Sequence, residues 1–154
     1  MTRPLLALFL SLLLLGCPGS PAPSEKGSAV LDTRGAACYD FSTPALFDCP
    51  DYPELADLEL VGKCEGRPLM RGEWMHLGEG ELAGVRSVPA DADFSGSEDY
   101  SRMGHVYIVK TREGGYAKMK ITGLVSLKEF TGTCDWQMTI DYVYQPGGLK
   151  RFSD

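Results

Sequence analysis

The chain has 154 residues, with 21 acidic side chains against 15 Lys and Arg and a formal net charge of −6. That balance argues against nucleic acid as a partner, and the length suits one domain behind an export signal. With 18 Gly, 10 Pro and no sustained helical period, little room remains for a long helix.

Leu5 to Leu15 form an apolar run after Arg3, and Pro18, Pro21 and Pro23 close it. The run falls short of the roughly 20 residues that a transmembrane helix needs, so residues 1–16 read as an export signal. Its ending, Leu14-Leu15-Gly16-Cys17, resembles the lipobox of bacterial lipoproteins. The resemblance implies that the Cys17 thiol receives a diacylglyceryl group, that the signal is cut before it, and that the new amine is acylated, palmitate being a typical chain. Membrane lipid, reached through acylated Cys17, is then the first expected partner, and the cell envelope the expected location. Pro18 is not the Asp that retains lipoproteins of diderm bacteria at the inner membrane, so the outer membrane is expected. An ordinary secretory signal that ends beside a cysteine is the alternative.

Five cysteines are present, and lipidation of Cys17 leaves Cys38, Cys49, Cys64 and Cys134. In an oxidising compartment these should form two disulfides, and sequence leaves all three connectivities open. Zinc is the weaker alternative, because no Cys-x-x-Cys pair occurs. Residues 17–28 are rich in Pro, Gly and Ser and read as a flexible tether, with a single β-rich domain over 29–154. Charge is uneven within that domain: Asp40 to Asp99 hold fourteen acids and four bases, Ser101 to Asp154 five acids and eight bases. A solvated acidic surface accounts for this more simply than steering of a charged partner.

Weak strand patterns cover Ala37 to Phe41, Leu58 to Gly62, Pro68 to Trp74 and Glu81 to Val88, while Pro44-Ala-Leu-Phe and Pro53-Glu-Leu-Ala-Asp-Leu read as single helical turns. The strongest element is a hairpin, Gly104 to Arg112 and Tyr116 to Thr122, around Glu113-Gly114-Gly115. A two-residue loop places Val106, Ile108, Ala117, Met119 and Ile121 on one face, and His105, Tyr107, Val109, Lys118 and Lys120 on the other. A three-residue loop would break this agreement. The run from Asp135 to Tyr144 alternates, placing Trp136, Met138, Ile140, Tyr142 and Tyr144 inward, and Pro146-Gly147-Gly148 ends it. The expected fold is all-β: an antiparallel β-sandwich or open barrel with at most short helical turns.

No Gly-x-Ser-x-Gly elbow, His-Glu-x-x-His pair or phosphate-cradling loop is present, so no catalytic residue is assigned and an enzyme is not expected. Asp91, Asp93 and Ser95 match the opening of a calcium loop, but the twelfth position is Arg102 rather than a carboxylate. They are kept as a weak alternative metal site beside the simpler reading, an acidic surface loop. His76 and His105 are the only histidines, and with Tyr107 they are the candidate ligand-binding residues. Imidazole suits a metal or haem iron, with Met75 a conceivable helper. The competing reading is a histidine on the solvent side of a sheet.

The segment Gly104-His-Val-Tyr-Ile-Val-Lys-Thr-Arg-Glu-Gly-Gly-Tyr-Ala-Lys-Met-Lys-Ile, followed by Thr139-Ile-Asp-Tyr-Val-Tyr-Gln-Pro-Gly-Gly, resembles the C-terminal part of HmuY-like proteins, which are β-rich bacterial lipoproteins. The likeness covers about a third of the mature chain. It implies the fold and, as a function, haem capture through two axial histidines. His105 precedes the matching strand, and His76 lies outside the similar region. The expected function is therefore a lipid-anchored, non-catalytic envelope module that binds a small ligand, haem being the named candidate. The alternative is a structural or protein-interaction lipoprotein with an envelope protein as its partner.

Overall fold

A computed structural model describes residues 23–49, 53–63, 66–127 and 134–152. The export signal, the lipobox with Cys17, most of the tether, and Cys64 lie outside the described residues. Nine strands run β1 Glu25–Asp32, β2 Cys38–Asp40, β3 Ala45–Phe47, β4 Leu58–Val61, β5 Leu69–Glu79, β6 Gly96–Tyr100, β7 His105–Lys110, β8 Tyr116–Ser126 and β9 Trp136–Gln145. They form one antiparallel sheet in the order β1-β9-β8-β7-β5-β4-β2-β3, with β6 added on β5. Strand makes up 52% of the structure and helix 4%, and the sheet curls into a nearly closed barrel, as expected from the sequence. Among the described residues no helix is long and apolar enough to cross a membrane.

The barrel interior is filled from all sides by Leu31, Leu58, Leu60, Met70, Trp74, Tyr107, Met119, Ile121, Met138 and Ile140. Removing each such side chain from water stabilises the fold by roughly 1.5–3 kcal/mol before chain entropy is set against it. Near the two ends of the sheet order, aromatic side chains add contacts across the interior. The Tyr39 hydroxyl bonds that of Tyr142 at 2.7 Å, and the Phe41 ring meets Tyr142 edge-on at 5.2 Å.

The hairpin between β7 and β8 differs from the two-residue expectation. Its register pairs Val106 with Lys120, Tyr107 with Met119 and Val109 with Ala117, leaving Arg112, Glu113 and Gly114 as a three-residue loop. The Gly114 amide donates to the Thr111 carbonyl at 3.0 Å and the Gly115 amide to Thr111 Oγ1 at 3.0 Å, while Gly114 takes φ 81°. This is a turn closed by a glycine bulge, which needs the left-handed backbone that Gly adopts without strain. Consequently Tyr107, Val109, Ala117, Met119 and Ile121 share the inner face, and Val106, Ile108 and Lys118 turn to the other.

The misreading has a physical cause, because β7 is buried on both faces. Its outer face is covered by a second cluster of Val88, Ile108 and Phe152, joined by Leu77, Val85, Ala92, Phe94 and Tyr116. Lys118, expected on a polar face, is buried there: its ammonium donates to the Val85 carbonyl at 2.9 Å and lies 5.2 Å from the centre of the Phe152 ring. The cover comes from the segment expected as a strand over Glu81 to Val88, which instead makes a 3₁₀ turn at Leu82–Gly84 and a single bridge between Ser87 and Arg151.

Three further boundaries move. Pro44-Ala-Leu-Phe supplies β3 rather than a helical turn, whereas Pro53–Leu55 does form one 3₁₀ turn. Strand β5 runs on through Glu79, well past the expected end at Trp74. The sheet also begins at Glu25, inside the stretch assigned to the tether, because Glu25 to Ser28 pair with Tyr144 to Asp141 of β9. Cys38 and Cys49 are disulfide-bonded with their Cα atoms 5.3 Å apart, and Cys134 is bonded to a cysteine outside the described residues.

Candidate functional site

The extension of β5 past Trp74 is what brings the two histidines together. His76 is the register partner of Tyr107 on β7, so their rings lie side by side on the inner face, 4.8 Å apart and 18° from parallel. His105 is two residues from Tyr107 and therefore a diagonal neighbour of His76, within reach for long side chains. The register shifts between His76 and Gly78, where one extra residue sits in β5 and Gly78 takes φ 90°. A bulge of this kind bends the strand and re-aims side chains.

His76 Nε2 and His105 Nδ1 meet at 2.7 Å. The ring centres are 5.0 Å apart and the planes differ by 21°. The centre-to-centre separation exceeds the nitrogen contact by about two ring radii, so the imidazoles meet head to head, nearly coplanar and in line, rather than face to face. One ring nitrogen donates and the other accepts. Both rings are half-buried. Burial, His105 and the charge of Arg102 hold His76 below the ordinary histidine range, against an opposing pull from Asp99.

Tyr107 forms the floor of this site. Its hydroxyl is buried without a hydrogen-bond partner, as is Nε1 of Trp74, whose ring packs edge-on against Tyr107 at 5.7 Å. Burial and the Asp99 charge push the phenol up to about 12, against the charges of Arg102 and Arg67. Arg67, Arg102, Tyr100 and Gly66 line a recess of about 260 Å³. Arg102 acts on both His76 and Tyr107, so one side of the site carries cationic charge.

A larger recess of about 550 Å³ is lined by Ala56, Asp57, Gly72, Glu73, Lys110, Thr111, Arg112 and Gly114. Near it, ligand atoms of Asp40, Asp57 and Glu113 lie within 4.8 Å of one another. Two of these carboxylates already have work within the fold. Asp57 accepts the backbone N–H of Phe41 at 3.0 Å and that of Arg112 at 2.9 Å, tying the β7–β8 turn to the end of β2. Asp40 accepts from Ser42 and Thr43. Burial raises the Asp57 carboxyl to about 6 despite its two donors. The sequence marks Asp57 only as an acid between apolar residues in Leu55-Ala-Asp-Leu.

The three residues expected to bind a ligand, His76, His105 and Tyr107, are thus brought into one cluster. Met75 is not part of it, since it pairs with Ile108 and points to the opposite face. Asp91, Asp93 and Ser95 lie in the exposed approach to β6, where the Asp93 carboxylate accepts the Ser95 N–H at 2.9 Å and is thereby held below its usual range. The chain after this loop enters a strand, not the helix of a standard calcium loop. Comparison with protein-family models and with curated proteins finds no match to this chain.

Proposed function

We propose that this protein is an exported, lipid-anchored, non-catalytic β-barrel module that captures a ligand through His76 and His105, with haem as that ligand. The observation that carries the reading is the in-line meeting of the two imidazoles. Two histidines could hold one haem iron if their ring nitrogens point at one another. His76 Nε2 and His105 Nδ1 do so. Were haem bound, His76 Nε2 and His105 Nδ1 would part from their present 2.7 Å contact to admit it and would hold its iron. Half-exposed rings at the end of β5 and the start of β7 can make such a movement more easily than core side chains. The iron would supply the coordination bond; His76 and His105 would hold it, and Arg67 and Arg102 would offer cationic partners to acidic groups on the ligand.

Anchoring rests on the lipobox-like Leu14-Leu15-Gly16-Cys17, with Pro18 favouring the outer membrane. The disulfide at Cys38 and Cys49 accords with an exported domain. The experiment has two parts. Full-length protein should fractionate with membranes and its Cys17→Ser variant should be released; continued tight attachment of the variant would refute the anchor. The soluble domain titrated with haem should develop a Soret band that His105→Ala weakens. No spectral change at micromolar haem would refute haem capture and favour the structural or protein-interaction reading.

A further inference from the structure

We propose that His76 Nε2 and His105 Nδ1 also form a two-coordinate site for a soft monovalent cation, Cu(I), held in line between the two rings. The inference rests on reading this pair as a ligand site, and it adds a second ligand class to it.

Direction is the first argument. Two nitrogens that chelate one tetrahedral ion approach it at a wide angle to each other, whereas these two face each other along one line, with 2.7 Å between them and the rings 21° from coplanar. That geometry suits linear coordination, reached when the nitrogens part to about 4 Å. Ligand number is the second. Among the described residues the one group of three or more metal-ligating side chains is Asp40, Asp57 and Glu113, which does not include either histidine. Structural zinc takes four protein ligands and catalytic zinc three, so a bare pair of nitrogens serves it poorly. Imidazole is a good ligand for copper, and a closed-shell monovalent ion is satisfied by two donors.

Among the described residues no carboxylate completes a three-ligand group with the two histidines. Binding needs both facing nitrogens unprotonated. A neutral pair achieves this without net proton release, by placing each ring proton on the outward nitrogen, Nδ1 of His76 and Nε2 of His105. No electron transfer is required, since copper enters and leaves as Cu(I).

The test is an anaerobic titration of the disulfide-intact soluble domain with Cu(I) against a competing chelator, with copper X-ray absorption on the complex. The expected result is one equivalent bound by two nitrogen donors, on the order of a hundredfold weaker binding in His76→Ala or His105→Ala, and no comparable uptake of Zn(II). Imidazole nitrogen resonances of the unsubstituted domain should shift at both rings on Cu(I) addition, a readout that needs no variant. Cu(I) uptake unchanged by both substitutions, sulfur donors in the absorption spectrum, or equal affinity for Zn(II) would overturn the proposal. Haem binding with no Cu(I) response would overturn this inference and leave the haem reading standing. Failure of both ligands to move either ring would show that the histidine contact is structural, and both readings would fall.

Discussion

His76 and His105 touch at 2.7 Å because β5 continues past Trp74 and sets them as diagonal neighbours beside Tyr107. The bulge next to His76 is part of that arrangement, and Gly78 holds its left-handed backbone at φ 90°. An added Cβ at Gly78 would meet nothing within 4 Å, so any cost of Gly78→Ala comes from the backbone alone.

Gly78→Ala should therefore lower stability by about 1 kcal/mol and leave the fold in place. Because the strain sits two residues from His76, the same variant should also change ligand affinity, measured by titration beside a denaturant melt. Gly84→Ala is the control: it has open space around it and ordinary backbone. Equal behaviour of the two variants would show that the bulge does not position the pair.

Asp57 sets a pH dependence of stability. Its carboxyl is raised to about 6 in the fold, from about 3.9 in an unfolded chain. As pH rises through that window the unfolded chain loses its proton first, so the folded state binds more protons and stability falls. The contribution is fully present below about pH 4 and is lost above about pH 6, amounting to about 3 kcal/mol at most. Urea melts of the unsubstituted protein and of Asp57→Asn, taken from pH 4 to 7, should show the difference between them shrinking as pH rises. Asp57→Asn also turns an NH₂ toward one of the Phe41 and Arg112 amides, which should cost about 1–3 kcal/mol near neutral pH.

The Cys38–Cys49 bridge closes a sequence separation of 11 residues, and its removal in a Cys38→Ala, Cys49→Ala variant should cost about 2–3 kcal/mol in a thermal or denaturant melt. Cys134 is bonded outside the described residues, and its carbonyl oxygen sits 2.6 Å from where a Cβ on Gly62 would lie. Non-reducing peptide mapping should then yield Cys64 linked to Cys134. A Cys17–Cys134 peptide would contradict both that pairing and lipidation of Cys17.

Much of the barrel was legible in the sequence. The inward row Met138, Ile140 and Tyr142 could be read from alternation because Thr139 and Asp141 between them stay outside the buried set, although beyond them Val143 and Gln145 are buried as well as Tyr144. The faces of β7 could not be read the same way. Val106, Tyr107, Ile108 and Val109 are all buried, since a loop segment and Phe152 cover the second side. Periodicity then carries no signal, and the register depended on whether the loop held two residues or three. The candidate site was half legible. Its residue types were evident, but their meeting depends on β5 running to Glu79 through Gly78, a residue that weakens any strand pattern. Asp57 was hidden for another reason: its role consists of bonds to backbone groups distant in sequence.

If His76 and His105 hold one haem iron between them, the electron paramagnetic resonance spectrum of the soluble domain loaded with ferric haem reports both ligands at once. The expected spectrum is a low-spin, six-coordinate signal for the unsubstituted protein, and a high-spin signal for His76→Ala and for His105→Ala. A signal that neither substitution alters, or a high-spin signal from the unsubstituted protein, would contradict it.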